Sequence, residues 1–519
     1  MKRADDDVLG ATQDRPSSMT VVSTTEHPIV ISNSHCRFVL RNEGTLSKDS
    51  VMSFQLLVSD ANSGHAFLPC NTGIFALLKE CTLSIGGVRL HNLQDIAYFR
   101  GMTQSYETPS YRTNRSRILR GVNNVMMAAP TAPVGNTNAG TYIPAGSVAT
   151  SETSAELDYQ MKLTSSASSS PEWSLALKDI FPILQQIELP LYLLTDQVVL
   201  DFRYQSQLNL DQDVNGVGSL CCFENSAANT QRLGACELNL ANCLLYQDTI
   251  YWNNEKVEAI SKSVNARDGF FLNYTDVLHN VSNHPAADPI TIAGETTTIN
   301  LQKNDRVAVS GHSIKNLFWG FAVADWRPST VPPSAIGTPG NNQQRYWDQW
   351  LGKYALLAYR KSATFDVRLN DQLLLPEPMS SETQKFTECT NVYDSPPWLN
   401  QSLYSYNPSV TKGDIYPNNA RAQQLPDDTY GLWGGHQSAA SLNAKQHFCA
   451  LHLGNLRGDS EDDSTLVSSK PIEVLHSELP VTAASNYNRR CLYYAEIVRR
   501  FGVQDGSAIV FEGPAVIAN

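Results

Sequence analysis

A chain of 519 residues exceeds what one hydrophobic core sustains, since single cores stop growing at about 250–300 residues, so two domains are expected. With 42% hydrophobic and only 17% charged residues, against a usual charged share of about 25%, the composition excludes a disordered, highly charged chain and suits a protein that buries outer surface against copies of itself. A net charge of −12, with Lys2 and Arg3 cancelled by Asp5, Asp6 and Asp7, excludes a basic arm of the kind that neutralises a genome, so no strong direct nucleic-acid binding is expected.

Residues 1–20 read as an N-terminal arm. Strand text begins with IVISNSHCRFVLR at 29–41 and VMSFQLLV at 51–58, rich in β-branched and aromatic residues. In IFALLKECTLSIGGVRLH, 74–91, Leu83 and Ile85 alternate with Ser84, and Val88 and Leu90 alternate with Arg89. Gly86 and Gly87 lie between, so a hairpin with a type I′ turn is predicted, because that turn needs positive φ at both central positions. A helix is predicted over 93–107. Residues 121–170, filled with Ala, Ser, Thr, Gly and Asn, cannot build a core and read as a long surface insertion or a flexible loop. Structure resumes at 175–204 with a short helix or turn, a Pro-bounded apolar segment and a strand at 197–204, followed by strands in 236–252.

The polar stretch EKVEAISKSVNA, 255–266, reads as a short helix at the boundary between two halves. This partition gives a first domain over 21–258 and a second over 259–519. Strands are predicted at 269–281, 296–302, 313–326 and 364–369. At Asn370-Asp371 the chain turns again between TFDVRL and QLLLPEP, a second two-residue hairpin. Insertions cover 327–345 and 403–446. Final strands are expected at 447–454, 471–476, 490–503 and 507–513. Many short strands with turn-rich separators, in two halves of similar rhythm, argue for two sandwiches.

None of the ten cysteines forms a C-x-x-C pair, and no Cys/His cluster has zinc spacing. Cys81, Cys243 and Cys491 lie in strand-like apolar text and read as buried free thiols. The polar start shows no secretion signal, and no apolar run approaches the roughly 18 residues that span a bilayer. A product of the reducing cytoplasm or nucleus is therefore expected. His35, His91, His279, His312 and His452 read as structural, no P-loop occurs, and no catalytic residue, cofactor or metal is expected. Arg112, Arg115, Arg117 and Arg120 form a basic cluster, a candidate contact with lipid, genome or an acidic neighbour, or else a solvated segment pairing locally with Asp and Glu. Trp326, Trp347 and Trp350 are candidates for interface anchors or for core cover.

Four segments in this order carry a resemblance: FLPCNTGIFALLKECTLSIGGVRLHNLQDIAYFRGM at 67–102, IFPILQQIELPLYLLTDQVVLDFRY at 180–204, FDVRLNDQLLLPEP at 365–378 and RRCLYYAEIVRRFGVQDGSAIVFEG at 489–513. The chain resembles the double jelly-roll major capsid proteins of the adenovirus, tailless-phage and large DNA virus lineage, most of all those of polinton-like viruses and virophages. The resemblance implies an all-β fold of two tandem jelly rolls and a homotrimeric, pseudo-hexagonal capsomer tiling the icosahedral shell of a double-stranded DNA virus. It implies a virion location, assembly in the host cytoplasm or nucleus, and as partners penton, minor or cement proteins and, in some relatives, an internal membrane. The rival reading is a carbohydrate-binding or glycosidase-like β-sandwich, which requires surface Trp platforms and, for hydrolysis, paired carboxylates.

Overall fold

The computed structural model describes residues 19–58, 64–67, 72–103, 106–107, 117–120, 130–131, 143–144, 162–163, 172–205, 222–225, 236–266, 269–284, 290–292, 295–297, 301–323, 364–393, 448–454, 464–467, 470–478 and 489–512. The first half supplies β1 (Met19–Glu26), β2 (Val30–Ser32), β3 (His35–Leu40), β4 (Thr45–Leu46), β5 (Val51–Phe54), β6 (Leu78–Ile85), β7 (Val88–Gln94), helix α1 (Ile96–Thr103), β8 (Trp173–Ala176), β9 (Leu189–Pro190), β10 (Val198–Tyr204) and β11 (Leu244–Trp252). They form two antiparallel sheets. One has the order β8-β5-β11-β4-β9, with β1 added along β11, and the other β2-β3-β10-β6-β7. Alternate burial along β3 and β10 is the period-2 signature of strands that turn one face inward. Phe54 and Tyr204, from opposite sheets, meet edge to face at 6.4 Å.

Helix α2 (Asn254–Ala266) leads to the second half. Its elements are β12 (Phe270–His284), β13 (Leu301–Val307), β14 (Ser313–Val323), β15 (Thr364–Leu369), β16 (Gln372–Leu373), helix α3 (Glu382–Val392), β17 (Phe448–His452), β18 (Thr465–Leu466), β19 (Ile472–Glu478), β20 (Arg489–Gln504) and β21 (Ser507–Glu512). One sheet has the order β12-β20-β14-β17, with β18 on β14 and β21 on β20; the other is β13-β19-β15-β16. Trp319 and Phe365 join the two sheets at 5.8 Å. Among the described strands, none from the first half pairs with one from the second. The apolar core is nevertheless continuous, running from Phe54 and Phe202 through to Phe318 and Tyr494.

Several local expectations change. The 29–41 stretch is a hairpin, β2 and β3, turning at Asn33-Ser34. The 93–107 helix is shorter, because β7 continues to Gln94 and Asp95, at φ 46, makes the corner, a conformation that Asp tolerates better than most residues. The strand returning from Asn370-Asp371 is only two residues long, since Pro376 and Pro378 follow and cannot donate to a ladder. Helix α3 has no counterpart in the sequence reading. Its N-cap is Ser381, whose Oγ accepts a hydrogen bond from the Gln384 N–H at 3.1 Å.

Candidate functional site: the seam between the two sandwiches

Strand β20 is buried continuously from Cys491 to Val498, as expected of a strand covered on both faces. Its alternation sends Tyr493 toward the opposite sheet of its own sandwich and Tyr494 toward α1 of the other. Tyr494 donates its hydroxyl to the Asp95 carbonyl at 2.8 Å, and its ring packs on Phe99 at 5.3 Å. Phe99 also meets Phe318 edge to face at 5.6 Å. Arg490 donates to the Tyr98 hydroxyl at 2.9 Å. All eight residues of α1 are buried, so this helix is a wedge shared by both sandwiches rather than a surface helix.

Polar locks flank the wedge. His91 Nδ1 lies 2.7 Å from Asp276 Oδ1, while its Nε2 accepts the Ile183 N–H at 3.2 Å. Those two contacts select the tautomer with the proton on Nδ1. The charge of Asp276 is balanced by Arg499, whose Nη1 donates to Oδ2 at 2.8 Å. His91 and Asp276 are almost wholly buried, so this group has full desolvation at stake. Tyr274 adds a bond from its hydroxyl to the Leu90 carbonyl at 2.9 Å. Farther along, Glu496 accepts from Asn316 Nδ2 and from the Tyr393 hydroxyl, each at 2.6 Å.

A cavity of about 650 Å³ opens in the seam beside Phe99, Arg100, Tyr106, Asp179, Lys315 and Glu496. Burial depresses the pKa of the Arg100 guanidinium, and Asp179 opposes the shift. At another point two turns grip one loop. Thr195 N–H donates to the Gly506 carbonyl at 2.8 Å, and Gly86 N–H donates to the Gln197 carbonyl at 3.1 Å. Gly86 and Gly87 have φ 57 and 86; Asn370 and Asp371 have φ 52 and 66. A third two-residue turn, Asp505-Gly506 at φ 51 and 79, joins β20 to β21. Its Asp-Gly signal was present in the sequence between two predicted strands.

Of the basic cluster, Arg120 is buried and donates to Glu107 Oε1 at 2.9 Å and Asp179 Oδ2 at 2.6 Å. Its guanidinium lies over the Phe75 ring at 5.6 Å. It sits buried in the framework, paired with Glu and Asp rather than solvated. Arg117 lies in a short helix over Arg117–Arg120. Arg112, Arg115, Trp326, Trp347 and Trp350 lie outside the described residues, as do nearly all of 121–170 and the whole of the insertions at 327–345 and 403–446. Cys36, Cys81, Cys243, Cys389, Cys449 and Cys491 are buried free thiols. The sequence reading had no means of singling out Asp276, Arg499 or Glu496, which acquire their roles from partners far away in the chain.

No protein-family model matches the sequence, and no curated protein matches it. Solved structures do. The chain is similar to one in the electron cryo-microscopy structure of the Sputnik virophage, with a TM-score of 0.51 and 11% identity over 97% of this chain and 91% of that one. It is similar to one in the PBCV-1 virus capsid model, with a TM-score of 0.50 and 11% identity over 97% and 98%. The mavirus major capsid protein aligns at a TM-score of 0.48, with 10% identity over 96% and 90%. The shared property is the fold, two tandem jelly rolls built almost wholly of antiparallel strands.

Proposed function

We propose that this chain is a major capsid protein, a non-catalytic building block that assembles as a homotrimer and then tiles the icosahedral shell of a double-stranded DNA virus. The observation that carries this reading is the match of a whole two-sandwich architecture, over 97% of the chain, to chains of a virophage and of a virus capsid. The seam adds a physical reason. A shared wedge and buried polar locks make the two sandwiches one rigid brick, and a shell subunit must pass stress between neighbours without hinging. We divide the brick within α2, at 258/259, with residues 1–20 as an arm whose last two residues, Met19 and Thr20, already pair in β1. Pentons and minor or cement proteins are the partners this reading supplies, with an internal membrane in some relatives, and the virion is the location after assembly in host cytoplasm or nucleus.

The surface supports self-association. Every residue of β1 except Glu26 is exposed, including Met19, Val21 and Val22. Beside it on β11, Tyr246 and Tyr251 are exposed, and Ile29, just after β1, is 62% exposed. An apolar strip at a sheet edge is costly in a monomer and favours burial against another copy. Light scattering of the purified protein should give a mass three times 57.3 kDa. The double variant V21D/V22D, which places charge on the strip without touching the core, should run as a folded monomer. A wild-type chain that stays monomeric at micromolar concentration contradicts the reading.

A further inference from the structure

We propose that the second sandwich holds a structural zinc ion, bound by His284, Asp305, His476 and Cys491. These side chains come from β12, β13, β19 and β20, two strands from each of the facing sheets. All four are buried, and their donor atoms lie within 4.8 Å of one another. Tetrahedral zinc with nitrogen, oxygen and sulfur ligands separates neighbouring donors by about 3.3–3.8 Å, so small side-chain adjustments suffice.

The donor set is chemically selective. Two imidazoles, one carboxylate and one thiolate suit the borderline-soft Zn²⁺ and not the hard, all-oxygen preference of Ca²⁺ or Mg²⁺. Charge also closes: Asp305 and a deprotonated Cys491 cancel the two charges of the ion, so the loaded site is neutral where burial would penalise anything else. An outer shell is already in place. Ser282 donates to Asp305 Oδ1 at 2.5 Å and the Tyr493 hydroxyl donates to Oδ2 at 2.6 Å, the kind of support that orients a ligating carboxylate. His284 Nε2 lies 2.7 Å and His476 Nε2 3.1 Å from the same Oδ2, and His476 Nε2 also lies 2.5 Å from the Tyr493 hydroxyl, so both ring nitrogens gather at the Asp305 carboxylate. Lys303 stays at the rim, 3.8 Å from Oδ1.

Loading is balanced by one proton. Zn²⁺ replaces the proton of the Cys491 thiol, which passes to buffer. Each ligating imidazole would bind the ion through Nε2 and carry its proton on Nδ1. Coordination to the cation favours the thiolate that burial would otherwise disfavour. The ion would pin the two sheets together at one end of the sandwich. This inference is independent of the capsid reading, and either can fail without the other.

The test uses the full chain, stripped with a chelator, exchanged into buffer and titrated with Co²⁺, then Zn²⁺. One Co²⁺ per chain should bind, with intense tetrahedral d–d bands and a sulfur-to-cobalt charge-transfer band, both lost on adding one equivalent of Zn²⁺. C491S should lose the charge-transfer band, D305N and H476Q should weaken binding at least tenfold, and H279Q, a histidine outside the cluster, should change nothing. If the variants fail to fold, the wild-type cobalt spectrum decides. Absence of stoichiometric binding with tetrahedral bands in the wild type, or a charge-transfer band that survives in C491S, overturns the proposal.

Discussion

Gly86 and Gly87 share one turn, yet a side chain meets different surroundings at each. A Cβ at Gly87 has nothing within 4 Å, whereas one at Gly86 would lie 2.5 Å from the Asp196 carboxylate. Substitution at Gly87 therefore isolates the cost of positive φ. G87V should lose about 1–2 kcal/mol, and G87N, whose residue visits that region, much less. G86A should lose more than G87A, because contact with Asp196 adds to the strain. Thermal unfolding at fixed protein concentration checks the order; equal losses for G87V and G87N would remove the turn from the account. His279 gives a second residue-scale test. Its ring stacks on Tyr494 at 4.7 Å, and burial, with Arg490 assisting and Asp95 opposing, pushes its pKa from 6.5 down to about 4. The folded state then binds fewer protons than the unfolded state below pH 6.5. Stability should fall between pH 6.5 and 4, by on the order of 2 kcal/mol from this group, and not change through it above pH 6.5. In H279Q that part of the fall should be missing; an unchanged pH profile would contradict the burial argument. The turn residues were legible because positive φ has a local chemical signature. The environment of His279 was not, since Tyr494 lies 215 positions away in the chain.

At the scale of elements, β20 is the central one, paired with β12, β14 and β21 and covered on both faces. Its stretch RCLYYAEIVRRFGV was legible as strand, and so were β3 from its β-branched and aromatic residues, β6 from its alternation, and β10. Helix α3 carried a usable Ser381–Gln384 capping signal, but its modest amphipathicity hid it among turn-rich text. The contact between β12 and β7 was not legible, because Asp276, His91 and Arg499 make one group out of three separate segments. That group yields a prediction. D276A leaves a buried imidazole and guanidinium without their shared acceptor, and removing one member of a buried ionic group costs about 3–5 kcal/mol. H91Q should cost less, since an amide can donate to Asp276 and accept from the Ile183 N–H. Urea unfolding of the two variants measures the difference; a D276A loss below that of H91Q would mean the seam does not depend on the ionic lock.

For the whole molecule, length, low charge and the doubled rhythm of strands pointed to two sandwiches, and the fold has them. Neither composition nor pattern could say how they are joined, because a seam made of α1, β20 and three dispersed charged groups leaves no periodic trace. The joined pair, not either sandwich alone, is what would tile a surface: a rigid block with an apolar strip along one sheet edge. Electron cryo-microscopy of the purified protein should show a three-fold particle with six sandwich-shaped densities around its axis, two from each chain, and β1 buried between neighbours. A monomer, or an assembly of another symmetry with β1 open to solvent, would contradict it.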